Sequence, residues 1–265
     1  MRVLAFRHLY PVITMSGGII MPKDVGLHAY DERYHLVYGA GARFWNEHQP
    51  HPRLIECAKG LPAGAACIEF GCGEGFEART LAAMDLKVTA IDLSPTVIAK
   101  AREETPAAMR VEYLAGDVTD LAALGIASAC FDLAVDVHCL HMMSNPHDRL
   151  SYLAEVKRVL KPGGLFYLQD SLSWEDVQPA DDEERKAIEE IRAFNATHQG
   201  GDNTPRRITT SQGEKEILLP LCPGCKAQSL QEYVDELTGA GFAIKQAERG
   251  GSRHTMFAAI IVAMA

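Results

Sequence analysis

Three glycines at alternate positions, with a carboxylate on either side of them, form the stretch of this sequence best suited to bind a ligand. Gly71, Gly73 and Gly75 follow a short apolar run, and Glu69 stands two positions before the first of them. Glycines let a backbone turn sharply and approach a ligand closely, and the N-terminus of a following helix presents N–H groups to it. Asp92 closes the next apolar run, where a carboxylate can accept both hydroxyls of a ribose. The stretch therefore predicts a nucleotide site.

The spacing separates this site from the dinucleotide fingerprint Gly-x-Gly-x-x-Gly. Phe76 occupies the place of the third glycine in that fingerprint. Glu69 would also lie beside a pyrophosphate and repel it, whereas it would attract an ammonium group. A nicotinamide-dependent oxidoreductase on a similar sheet is thus the weaker alternative, and the chain also lacks a Tyr-x-x-x-Lys pair at Tyr152, which Val156 follows at that spacing.

At these residues the chain resembles the class I S-adenosylmethionine-dependent methyltransferases. Their first motif is acidic-x-Gly-x-Gly-x-Gly, their second is an acid closing strand two, and Leu-Lys-Pro-Gly-Gly often follows a later helix, as it does from Leu160. The resemblance implies S-adenosylmethionine as cofactor and an acid after strand three that recognises the adenine amino group. The cofactor contacts expected on this basis are Glu69, Gly71, Cys72, Gly73, Gly75, Asp92, Leu93, Asp117, Val118, Asp136 and Val137.

The apolar runs that must position these residues predict an α/β fold. We expect strands at 67–70, 88–91, 111–114, 131–137, 165–169, 242–248 and 256–263, and helices at 76–84, after Ser94, at 146–160, at 181–198 and after Ser229. The helix at 146–160 should bury Leu150, Leu153, Ala154 and Leu160. The resemblance implies a Rossmann-like, doubly wound sheet of seven strands, mostly parallel, with an antiparallel last strand between strands five and six.

Two segments outside these runs are predicted to cover the site. We expect residues 1–23 to be a flexible N-terminus and residues 24–265 to be one methyltransferase domain. Residues 24–60 would form an N-terminal lid, and residues 171–228, too long for an ordinary connection, a substrate-covering insertion with a hairpin at 208–220. Tyr30, Tyr34 and Tyr38 share a face if helical, and with Trp45 they would either line the substrate pocket or simply pack the segment onto the domain.

The loop after strand four carries His138 and His141, and Asp170 closes strand five. Ligands of open α/β sheets lie beyond the carboxyl ends of the strands, so both histidines should border the methyl acceptor. His138 and Asp170 are the candidates for a general base, which an oxygen acceptor needs, whereas sulfur and nitrogen acceptors can react without one. Either histidine could instead only support the loop.

A metal site is an alternative use of the same histidines. Cys222 and Cys225 form a single Cys-x-x-Cys, which together with His138 and His141 would supply four ligands for zinc. A non-catalytic sensor that binds the cofactor, or a metal through the two cysteines, is a further alternative. The other interpretation is a Pro-Gly turn, and on it the protein holds no metal.

Composition limits the partners. The chain has 265 residues, 47% of them apolar, and a formal net charge of -9, with no Lys/Arg run longer than two. These values favour a small-molecule methyl acceptor over nucleic acid as partner. Seven scattered cysteines predict reduced thiols and a cytoplasmic location. The sequence has no uninterrupted apolar run of about 18 residues, the length that would predict a membrane-spanning helix. A monomer or homodimer is expected. The N-terminal aromatic segment is also loosely similar to the tellurite-resistance and thiopurine methyltransferase groups.

Overall fold

The computed structural model describes residues 23–42, 50–175, 177–197, 203–210, 213–220, 227–250 and 257–265. Residues 1–22 of the predicted flexible N-terminus, and also Trp45, Cys222 and Cys225, lie outside the described residues. The zinc site predicted from the two cysteines therefore stays a prediction.

Within the described ranges the largest sheet has seven strands. The strands among the described residues are β1 Ala66–Phe70, β2 Lys87–Asp92, β3 Val111–Ala115, β4 Phe131–Val137, β5 Leu160–Ser171, β6 Asn203–Thr210, β7 Gly213–Pro220, β8 Ala243–Gly250 and β9 Ala258–Met264. The order in the sheet is β3-β2-β1-β4-β5-β9-β8; β3 to β5 pair in parallel, and β9 runs antiparallel to both of its neighbours. The predicted Rossmann-like fold, including the antiparallel last strand between strands five and six, is confirmed.

Seven α-helices connect and flank these strands in the described part of the chain. They are α1 Lys23–Gly39, α2 Pro52–Lys59, α3 Phe76–Ala83, α4 Pro95–Glu104, α5 Pro146–Val159, α6 Asp182–Thr197 and α7 Leu230–Gly239. Two predicted caps are present: the Ser94 side chain accepts the Val97 N–H at the start of α4, and Ser229 with Glu232 forms a capping box on α7. None of the described helices is long and apolar enough to cross a membrane.

The predicted inner face of α5 is partly wrong. Leu153 and Leu160 are buried, but Leu150 is 63% exposed and Ala154 is exposed. The buried residues of the helix are instead Arg149, Tyr152, Leu153, Val156 and Val159. Successive helical residues turn by about 100°, so burying Arg149, which binds polar groups inside the protein, turns Leu150 outward. Apolarity alone could not identify an arginine as an inner-face residue.

Both faces of the central strands are covered, which is why these strands read as continuous apolar runs. Alternate residues enter two different clusters: Ile68 and Phe70 pack with α5 and α7, while Cys67 packs with α2, α3 and α4. The polar side chains of the site are consequently confined to the strand ends and the loops that follow them.

A separate two-stranded sheet lies against α1. β6 and β7 pair along their whole length from Asn203–Pro220 to Thr210–Gly213, which confirms the predicted hairpin. Val37, Ala42 and Leu219 bury a small apolar cluster between this hairpin and the N-terminal segment, and the Arg33 guanidinium donates to the Pro220 carbonyl. The two segments predicted to cover the site thus pack against each other; their covering role remains a prediction.

Candidate functional site

The glycine loop between β1 and α3 adopts the backbone that its sequence predicts. Gly71, Gly73 and Gly75 have φ angles of 64°, 53° and 75°, in the left-handed region that glycine tolerates best. A Cβ on Gly71 would lie 2.9 Å from Cys139 Sγ, and one on Gly75 would overlap the Tyr113 ring. Neighbouring side chains therefore pack closely against the first and last glycines of the loop. Helix α3 begins at the residue that follows Gly75.

Glu69 in β1 is an almost inaccessible carboxylate. It is 2% exposed, and burial, together with the charge of Glu77, raises its pKa well above its usual value. Its Oε2 atom has no hydrogen-bond partner among the described residues. A buried polar atom in this state is costly and calls for a donor. An ammonium group placed next to the glycine loop would supply both the donor and the opposite charge.

Asp92, at the end of β2, joins the glycine loop to the start of α4. Its Oδ2 atom accepts the Gly73 N–H at 2.9 Å and its Oδ1 atom accepts the Ser94 N–H at 3.0 Å. Burial raises its pKa, against the lowering effect of these N–H groups. Since each carboxylate oxygen has two lone pairs, both can accept a further hydroxyl. Asp92 fits a ribose and also holds the loop in shape.

The remaining predicted cofactor residues lie at the same edge of the sheet. Because β3, β2, β1 and β4 are neighbours in parallel, their carboxyl ends meet there. After β3, Asp117 Oδ1 accepts the N–H and the hydroxyl of Thr119 at 2.8 and 2.7 Å. Val118 is buried and Leu93 exposed, whereas Cys72 is buried and Val137 partly buried. Which of these touch the cofactor stays a prediction.

Asp136, in β4, shapes the loop that carries the histidines. It is fully buried and accepts the N–H groups of Cys139 and Leu140 and the hydroxyl of Tyr152, at 2.8, 3.1 and 2.7 Å. Burial, and then the charge of Asp170, raise its pKa to about 7. These bonds show that Asp136 holds the loop in shape. Its predicted contact with the cofactor stays a prediction.

His138, His141 and Asp170 come together at the ends of β4 and β5. His141 Nδ1 hydrogen-bonds Asp170 Oδ1, and its backbone N–H donates to Asp170 Oδ2 at 2.8 Å. His138 Nδ1 lies 3.8 Å from Asp170 Oδ1 and 3.4 Å from Ser171 Oγ. Asp170 is completely buried, and although burial opposes it, the two imidazoles and the Ser171 N–H hold its pKa below the usual value. The sequence singled out His138; the geometry gives His141 the shorter contact.

Arg149 was not recognised from the sequence. Its side chain is 1% exposed and donates to the carbonyls of Leu140 and Met143 at 2.8 and 3.2 Å, to Gln228 and to Glu236. It thus ties the histidine loop to α7. An arginine in the first turns of a helix is normally exposed, and Glu236 lies 87 positions away, so no local signal pointed to this pair.

The helix α1 packs over the strand ends through polar contacts. The Tyr38 hydroxyl donates to Glu74 Oε1 in the glycine loop at 2.9 Å, and Asp31 Oδ1 accepts the Ser94 hydroxyl and the Thr96 N–H. Tyr34 stacks on Tyr38 with ring centroids 5.8 Å apart and is buried. Tyr30, on the same face, is partly exposed. The tyrosines therefore pack the segment onto the domain, which leaves a pocket-lining role as a prediction.

Comparison with known proteins identifies the central part of the chain. Residues 68–168 match the methyltransferase domain family. The ubiquinone biosynthesis O-methyltransferase of Xanthomonas axonopodis pv. citri is 35% identical over 108 residues, 40% of this chain and 43% of that protein. The same enzyme of Xanthomonas oryzae pv. oryzae is 36% identical over 107 residues, with the same coverage. The match thus spans less than half of the length of these curated relatives.

Solved structures show the same fold over most of the chain. A methyltransferase of Methanosarcina mazei superimposes with a TM-score of 0.57 at 20% identity, covering 82% of this chain and 98% of that one. The 1,6-didemethyltoxoflavin-N1-methyltransferase of Burkholderia thailandensis, solved with S-adenosylhomocysteine, gives 0.58 at 19% identity, covering 95% and 93%. These structures show that the chain has the fold of S-adenosylmethionine-dependent methyltransferases, and within that fold residues 68–168 are similar in sequence to the methyltransferase domain family.

Proposed function

We propose that this protein transfers a methyl group from S-adenosylmethionine to a small-molecule acceptor. The observation that carries the proposal is the buried carboxylate of Glu69, two positions before the glycine loop, whose Oε2 atom has no hydrogen-bond partner among the described residues. It suits the ammonium of the cofactor's methionine moiety, while Asp92 suits its ribose and Asp117 its adenine. A pyrophosphate would instead offer no hydrogen-bond donor to this oxygen, and it would repel the ionised form of Glu69.

The acceptor would lie beyond the ends of β4 and β5, next to His138, His141 and Asp170. Methyl transfer asks mainly for alignment of the acceptor, the methyl carbon and the sulfur, and such orientation can contribute on the order of 7–11 kcal/mol. We favour an oxygen acceptor because only oxygen requires a nearby group that stabilises the loss of its proton. The names of the ubiquinone-biosynthesis relatives agree with this choice.

The cap formed by α1 and the β6–β7 hairpin supports a small acceptor rather than a macromolecule, since both segments pack together at one side of the domain. With a net charge of -9, the protein is poorly suited to a nucleic-acid backbone. We place it in the cytoplasm, in agreement with the free thiols of its described cysteines, and expect a monomer or homodimer.

Calorimetry with S-adenosylhomocysteine and with NADH tests the cofactor directly. We expect binding of the first and none of the second. A methyl-transfer screen with phenol, amine and thiol acceptors then tests the reaction, and the phenols should be methylated. Binding of NADH without S-adenosylhomocysteine would overturn the proposed function, and methylation of thiols alone would overturn the choice of oxygen.

A further inference from the structure

We propose that His138, His141 and Asp170 bind one divalent transition-metal ion, and that this ion holds the acceptor oxygen. Metal binding itself is independent of the proposed function, whereas the ion's contact with an acceptor rests on it. The three residues are set apart from other polar groups near the strand ends because each of them presents a metal-ligating atom to the same small volume.

The distances suit such an ion. One ring nitrogen of each histidine and one carboxylate oxygen of Asp170 all lie within 4.8 Å of one another. Metal–ligand bonds of about 2.0–2.2 Å separate ligands in tetrahedral or octahedral geometry by about 3–3.5 Å. His138 Nδ1, now 3.8 Å from Asp170 Oδ1, would move closer, and His141 Nδ1, now hydrogen-bonded to the same oxygen, would move away.

The donor set indicates the class of metal. Two imidazoles and one carboxylate are typical ligands of Zn²⁺, Fe²⁺ and related ions, and they leave coordination positions open for a substrate. Mg²⁺ and Ca²⁺ prefer oxygen ligands throughout. This set also differs from the zinc site predicted from the sequence, because Asp170 takes the place that the two cysteines had been given.

The surroundings hold the ligands in place, as they do in established metal sites. Asp170 accepts the backbone N–H groups of His141 and Ser171, both at 2.8 Å, which fixes its carboxylate. The His138 N–H donates to the Gln169 carbonyl at 2.9 Å. The side chains of His138, His141 and Asp170 are 11%, 9% and 0% exposed. Because these bonds already restrict the three residues, little further side-chain freedom is lost when an ion binds.

The backbone of His138 is strained. Its φ angle is 66°, in the left-handed region that a residue other than glycine rarely adopts. Such strain concentrates at functional sites, and here it accompanies the approach of a second imidazole to Asp170. A general-base pair requires only one histidine, so His141 alone would satisfy it; the second, strained histidine is accounted for by a metal ion.

An ion at this place would also explain how an oxygen acceptor loses its proton. Metal coordination lowers the pKa of a bound hydroxyl, so that the oxyanion forms near neutral pH. The O–H bond breaks, its proton leaves to solvent, and the new oxygen–carbon bond forms as the sulfur–carbon bond of the cofactor breaks. No oxidant or reductant is needed.

The test uses the full chain stripped with a chelator and titrated with Co²⁺, followed by visible absorption, and with Zn²⁺, followed by calorimetry. We expect one equivalent of either ion per chain. His138→Ala and Asp170→Asn should each weaken binding by at least about 10–100-fold, the loss typical of removing a group that only supports a ligand. His147→Ala is the matched control, because that side chain is 85% exposed on the neighbouring helix α5; it should bind like the wild type. Circular dichroism of each variant checks that it folds.

Absence of stoichiometric binding to the wild type, or unchanged binding in folded His138→Ala, would overturn the proposal. S-adenosylhomocysteine binding to the stripped protein tests the proposed function separately. Methyl transfer that survives chelation, together with loss of activity in His141→Ala, would assign the cluster to proton transfer and reject the metal. Metal binding without any methyl transfer would instead leave the metal site standing and reject the proposed function.

Discussion

Replacing Asp92 by Asn tests whether one carboxylate serves both the protein and its cofactor. Both of its oxygens already accept a backbone N–H, from Gly73 at 2.9 Å and from Ser94 at 3.0 Å. The asparagine amide keeps one acceptor oxygen and replaces the other with an NH₂ donor. Whichever way the amide turns, one of these two N–H groups faces a donor instead of an acceptor.

The magnitude follows from the hydrogen bonds. A hydrogen bond to a charged group contributes about 1.5–3 kcal/mol, so the free energy of unfolding of the cofactor-free protein should fall by about that amount. Loss of an acceptor for one ribose hydroxyl should cost a further 1–3 kcal/mol or so of binding free energy, which raises the dissociation constant of S-adenosylhomocysteine by about 5–150-fold. Both effects should appear in the same variant.

Urea unfolding without cofactor measures the first effect, and calorimetry with S-adenosylhomocysteine measures the second. Glu112→Gln is the matched control: that exposed carboxylate in β3 accepts the Thr89 hydroxyl at 3.3 Å, and neither quantity should change when it is replaced. Normal stability with weakened binding would show that the loop does not need Asp92. Normal binding in a folded variant would refute the assignment of Asp92 to the ribose.

Three further predictions concern the glycine loop, the histidine loop and the cap. Gly75→Ala should abolish cofactor binding and lower the melting temperature more than Gly125→Ala does. Both glycines have a φ of 75°, but only a Cβ on Gly75 would overlap Tyr113. Equal effects of the two substitutions would contradict this prediction. Arg149→Met should lower the free energy of unfolding by about 3–5 kcal/mol, measured by urea, because it removes a buried guanidinium and leaves the partly buried Glu236 carboxylate unpaired. Asp31→Ala should increase hydrogen exchange in α1, and added S-adenosylhomocysteine should decrease it in the wild type; no change in either would argue against a closing lid.

The strands and several helix starts could be predicted from the sequence because each is determined by residues that are neighbours in the chain. The strand at Phe131–Val137 has the same bounds in prediction and structure, and the capping box at Ser229 and the start of α4 at Pro95 were equally clear. Each depends on neighbouring residues: a run of apolar side chains, or a capping side chain next to a helix. The order of the last two strands came from the resemblance to a family and not from the residues.

The polar interior could not be predicted, because its partners lie far apart in the chain. The buried Arg149 pairs with the partly buried Glu236 across 87 positions, and the burial of Arg149 reversed the expected orientation of Leu150. His141 shows the same difficulty on a smaller scale. From spacing alone it was the less promising of the two histidines, yet its backbone and its ring both bind Asp170, 29 positions away.

The contacts of α1 also bear on the identity of the acceptor. This helix contacts the glycine loop through the hydrogen bond from Tyr38 to Glu74, and it contacts the β6–β7 hairpin through the apolar cluster around Val37. A change at either end can therefore shift the other, because both depend on the position of one helix. Ala42 and Thr210, which are more than 150 positions apart in the sequence, pair in an isolated antiparallel β-bridge between the two segments of the cap. If the cap closes over the acceptor, the residues that select the acceptor therefore come from both segments. Acceptor specificity should accordingly change with substitutions on either segment, while cofactor affinity should respond chiefly to those on α1.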